Sequence, residues 1–135
     1  SPAPPAKTIT PAEEQIDLAT ALKYCGGNEK MQKKFLTMFV SRREAVSNQL
    51  NNDLKTMNIE DYTTHVHALK STALSIGGVK LSEAAKALEM AGHAYCEGSE
   101  AEKNEHLQYI REHHCETLTL YEKLASEAQN RFCIS

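Results

Sequence analysis

The stretch TTHVHALKSTALSIGGVKLSEAAKALE, Thr63 to Glu89, decides how the rest of the chain is read. With helical residues advancing by ~100° each, Tyr62, Val66, Leu69, Ala73 and Ile76 fall on one apolar stripe. The stripe predicts a helix facing a core and closed by Gly77-Gly78, where glycine relieves the steric cost of a sharp turn. His67 lies roughly 140° from the stripe's centre and is expected to face solvent. Glu60 and Thr63 precede it on that exposed face, Ser71 and Leu74 follow it, and Lys70 reaches the same patch from about 60° aside.

An imidazole presented outward from a rigid helix suits a nucleophile that must meet another protein. Neutral imidazole attacks phosphorus in line without a separate base, because it is largely unprotonated near neutral pH. A lysine one turn away supplies positive charge for phosphoryl oxygens, and small neighbours leave room for an approaching partner.

The pattern His-x-Leu-Lys-(Gly/Ser)-x-x-x-x-(Leu/Ile)-Gly-x-x-x-Leu resembles the signature of histidine-containing phosphotransfer domains, the histidine carriers of multistep phosphorelays. It reads here as His67, Leu69, Lys70, Ser71, Ile76, Gly77 and Leu81, followed by Ala84, Leu88 and Glu89. The resemblance runs from about Ile16 to about Ala128. Ser71 stands where that family more often has glycine, which implies a slightly tighter entrance.

The resemblance implies that His67 accepts a phosphoryl group from the aspartyl phosphate of a response-regulator receiver domain and passes it to another receiver's aspartate. Lys70 would offset the added charge. Glu89 would face His67 from the adjacent helix and hold one ring nitrogen protonated. Glu60, Thr63, Thr64, Ser71 and Leu74 are the residues expected to meet a partner; an apolar Leu74 on an exposed stripe reads as a docking residue. Partners implied are receiver domains and a sensor histidine kinase, hybrid or separate. The chain shows no phosphate-cradling glycine loop. It is therefore expected to be a carrier with no ATP site and no cofactor of its own, not an enzyme, with Mg²⁺ supplied by the receiver.

Composition bounds the alternatives. The 135 residues suit one domain with one core. Lysine plus arginine number 15 against 18 acidic residues, a net charge of −3, which argues against a nucleic-acid surface. No apolar run approaches the ~20 residues needed to span a bilayer, so no membrane insertion is expected. Cys25, Cys96, Cys115 and Cys133 form no close pair and nothing signals export, so they are read as reduced thiols in a cytoplasmic protein.

Along the chain, residues 1–9 begin with SPAPPAK and read as a proline-rich linker, residues 10–130 as the phosphotransfer domain and 131–135 as a tail. Thr10-Pro11-Ala12-Glu13 reads as a helix start, with Ile16, Leu18, Ala19 and Leu22 apolar and Gly26-Gly27 as the stop. Asn28 is expected to cap one long helix to about Asp53, with Met31, Phe35, Met38, Phe39, Val46 and Leu50 inward. Asn58 caps the His67 helix; another helix runs from about Val79 to Cys96. Ser99-Glu100-Ala101-Glu102 reads as a capping box opening a last helix to about Gln129. No segment alternates with period two. The fold expected is all-α: an antiparallel, up-down four-helix bundle with an additional short N-terminal helix over one end. A monomer is expected, because an internal core accounts for one stripe per helix.

His65, two residues before His67 and roughly 160° round the helix, borders the buried stripe and reads as structural. His93 and Cys96 share a face but lack an obvious third metal ligand. Two further readings stand beside the carrier: the phosphoacceptor domain of a chemotaxis-type kinase, and a noncatalytic helical interaction module.

Overall fold

The computed structural model describes residues 15–134, which form six helices. They are α1 (Leu18–Tyr24), α2 (Glu29–Ser41), α3 (Arg43–Lys55), α4 (Ile59–Ser75), α5 (Val79–Glu97) and α6 (Glu100–Phe132). Helices α4, α5 and α6, with α2 and α3 together as the fourth rod, make the antiparallel bundle. The most extensive packing joins α4 to α5, then α5 to α6. The proline-rich linker and the helix start at Thr10 lie outside the described residues; Asp17 caps α1, its carboxylate accepting from the Ala19 and Thr20 amides.

The stripe on α4 is buried throughout: Tyr62, Val66, Ala73 and Ile76 are fully enclosed and Leu69 nearly so. Asn58 Oδ1 accepts from the Asp61 amide at 3.1 Å and starts the helix. At its other end Gly77 adopts φ +80°, and a Cβ there would lie 2.1 Å from the Asp17 carbonyl oxygen. Only glycine fits both the left-handed backbone and that approach. The Asp17 amide donates to the Gly77 carbonyl at 2.9 Å, so the residues before α1 are stitched to the α4–α5 turn.

The single helix expected from Asn28 to Asp53 is two helices. An unbroken helix would pair the Phe39 carbonyl with the Arg43 amide, but here it accepts from the Tyr121 hydroxyl at 2.6 Å. A side chain inserted into the backbone ladder breaks or kinks a helix. The rings of Phe39 and Tyr121 stack above this bond with centroids 4.2 Å apart. The inward face of α2 is also rotated from expectation: Gln32, Leu36, Phe39 and Val40 are buried, while Met31 and Met38 are exposed.

Two expectations about α6 and the residues after it are corrected. Ser99 precedes α6 but makes no side-chain cap bond, so the capping box does not form. Residues 131–134 are not a loose tail, because α6 continues to Phe132 and Ile134 is buried in the core. The Glu127 carboxylate, itself buried, accepts from the Gln15 and Ile16 amides at 2.6 and 3.0 Å. Arg131 donates to the same carboxylate and to the Ile16 carbonyl. A buried carboxylate is stable only when paired and hydrogen-bonded in this way.

Candidate functional site

Helices α4 and α5 form a hairpin joined by Ile76, Gly77 and Gly78, and its close approach builds the site. A Cβ on Gly92 would lie 2.0 Å from Thr63 Oγ1, so α5 crosses α4 at a distance that no larger residue permits. Thr63 is therefore buried, with its hydroxyl donating to the Ile59 carbonyl at 2.7 Å. The expectation that Thr63 faces a partner is overturned: α5 lies over that part of the supposed solvent face.

One turn further along, the hairpin opens enough for side chains to meet. His67 is exposed, with 58 % of its side-chain surface accessible, and its Nδ1 is 2.5 Å from Glu89 Oε2. Lys70 Nζ donates to the other oxygen, Glu89 Oε1, at 2.7 Å. Glu89 is thus a buried carboxylate gripping two residues of α4 at once. Burial pushes its pKa upward, but hydrogen bonds and charge from Lys70 and His67 outweigh that and hold it below the usual glutamate value. An ionised carboxylate only accepts, so His67 Nδ1 carries the proton and Nε2 the lone pair. Among the described residues Nε2 has no hydrogen-bonding partner.

The remaining residues named from sequence divide by exposure. Glu60, Thr64 and Ser71 are exposed, while Leu74 is half-buried rather than open on the surface. His65 sits at the border of the buried face, with Nδ1 2.5 Å from Asp53 Oδ2. His93, considered from sequence only with Cys96, instead brings Nε2 to 3.7 Å from Glu89 Oε2. Its spacing of four residues from Glu89 was the signal that would have placed it there. Among the described residues no three His, Cys, Asp or Glu side chains converge as a metal-binding set, and no helix is long and apolar enough to cross a membrane.

A family model described as the Hpt domain matches residues 34–127, well over half of the chain. The chain belongs to the Hpt family. No curated protein and no solved structure gives a significant match. The Hpt match spans α3, α4 and α5, including the His67–Glu89–Lys70 cluster, and nearly all of α6. Membership supports a phosphotransfer role in phosphorelay signalling and implies interaction with response-regulator receivers and kinases.

Proposed function

We propose that the protein is a phosphohistidine carrier in which His67 Nε2 takes a phosphoryl group from a receiver's aspartyl phosphate and later yields it to another receiver's aspartate. The observation that carries this reading is the unpartnered Nε2 on an exposed ring whose Nδ1–H is fixed by Glu89. In the forward step the Nε2 lone pair attacks phosphorus, the N–P bond forms, and the aspartyl C–O–P linkage breaks at the P–O bond. The receiver carboxylate leaves with that electron pair. The Nδ1 proton stays on its hydrogen bond to Glu89, whose negative charge stabilises the cationic ring that forms. Glu89 thereby orients the nucleophile, while Lys70 faces the phosphoryl charge as it arrives.

No nucleotide is needed in this scheme. Mg²⁺ belongs to the receiver, where it offsets phosphoryl charge in the transition state. Exposed Glu60, Thr64 and Ser71 and half-buried Leu74 form the surface that the receiver covers. The carrier acts in the cytoplasm as a monomer.

Incubation with a phosphorylated receiver should place acid-labile, alkali-stable phosphate on the wild-type protein. His67→Gln should acquire none. Label on that variant at His65 would move the acceptor to the other histidine and overturn the assignment.

A further inference from the structure

His93 stands on the same face of α5 as Glu89, one turn on, with 61 % of its side-chain surface exposed. Its Nε2 approaches Oε2 of Glu89, the oxygen already engaged by His67 Nδ1. At 3.7 Å the contact is an ion-pair approach, longer than a hydrogen bond, so its worth depends on the charge of the His93 ring. We propose that His93 is a positioning residue of the phosphotransfer site: protonated, it becomes a further cation on Glu89 and favours retention of the phosphoryl group on His67. This inference rests on His67 being the phosphoacceptor.

The charge distribution supports that role. A phosphoryl group brings about two negative charges near neutral pH. The permanent cation in contact with Glu89, Lys70, is already paired with it. A second positive charge on the Glu89 cluster therefore stabilises the phosphorylated carrier relative to the free one. Imidazole is the side chain whose charge ordinarily changes between pH 5 and 8, so the contribution is conditional on pH.

The groups around His93 are few. On α5 they are Glu89 and Glu97, one turn to either side, and Lys86 two turns back. From α4 they are His67 and Lys70, joined through Glu89, and Glu60, whose charge reaches Cys96 beside His93. Helix α6 lies on another side of α5, across a groove lined by Ala87, Ala91 and Ala94, and the titratable groups it turns to that groove are Glu105, His106 and Glu112. His93 is free of that interface, so replacing it leaves the packing between helices in place.

The test is the equilibrium of phosphoryl exchange between a phosphorylated receiver and the wild-type, His93→Gln and His93→Lys proteins, measured from pH 8 to pH 5.5. Titration of the receiver is common to all three and cancels in ratios. The ratio of wild-type to His93→Gln carrier occupancy constants should rise about three- to tenfold as the pH falls, the size expected for one added charge at partly screened range. His93→Lys, charged throughout, should exceed wild type at pH 8 and show little of that rise. A wild-type to His93→Gln ratio that stays flat overturns the inference while leaving a labelled His67 intact. Failure of the wild-type protein to take any label would instead remove the carrier reading on which the inference stands.

Discussion

Helix α4 carries two histidine–carboxylate pairs only two residues apart, and their surroundings differ. His65 meets Asp53 and His67 meets Glu89, each through Nδ1 at 2.5 Å. The His65 ring is half as exposed as that of His67, 29 % against 58 % of its side-chain surface. Asp53 belongs to the end of α3 and clips it to the helix that follows. Glu89 comes from α5, engages Lys70 as well, and leaves the opposite edge of the His67 ring uncovered. A short bond between imidazole and carboxylate is therefore no signature of a reactive histidine by itself. Outward exposure and a lysine on the same carboxylate separate the two.

Exchanging the partners tests that distinction most directly. Glu89→Gln should slow phosphoryl uptake by roughly 10- to 100-fold, the scale seen when a carboxylate that orients a metal-ligating histidine is lost. Asp53→Ala should do the reverse, costing about 1–3 kcal/mol of stability while uptake by His67 persists. Equal loss of uptake in both variants, with denaturation midpoints unchanged, would erase the contrast. Gly92→Ala acts on the frame that creates it. Forcing a methyl group against Thr63 should cost about 1–3 kcal/mol and part α5 from α4 at the site, visible as a lower Tm together with slower uptake. Leu74→Asp should weaken receiver binding by roughly three- to tenfold with the bundle intact, as read by titration calorimetry.

A third histidine supplies the smallest effect. His114 is buried, with Nδ1 accepting from the Tyr62 hydroxyl at 2.9 Å and Nε2 2.6 Å from Asn51 Oδ1. Burial holds its pKa below the ordinary imidazole value near 6.5. Between those two values the unfolded chain binds a proton that the folded chain refuses. Stability is accordingly fully present above pH 6.5 and declines as pH falls through that window. Thermal unfolding at stepped pH should show this decline in the wild-type protein and a shallower one in His114→Gln. The same decline in both would assign it to other groups.

How much of this was legible beforehand depends on where each cause lies in the chain. The buried stripe of α4 was readable because all five of its residues obey one helical period. The exposure of His67 followed from the same wheel. Thr63 was misplaced because its burial is decided by Gly92, and a wheel for one helix holds no information about where another crosses it. The break at Arg42 has no proline or glycine to announce it, since its cause is a hydroxyl on Tyr121. The exposure of Met31 and Met38 on the rotated α2 was hidden likewise. Glu127 carried no local sign of burial, because the amides it serves belong to Gln15 and Ile16.

That last contact has a bearing on the order in which the molecule assembles. Ile16 and Glu127 are separated by 111 residues, whereas His67, Lys70 and Glu89 come from two consecutive helices. Contacts local in sequence close small loops and form readily; those between distant ends must wait for the chain entropy to be overcome. On that ground the clasp between Ile16 and Glu127 is expected to close after the hairpin that presents the imidazole, an order that hydrogen exchange during refolding would read.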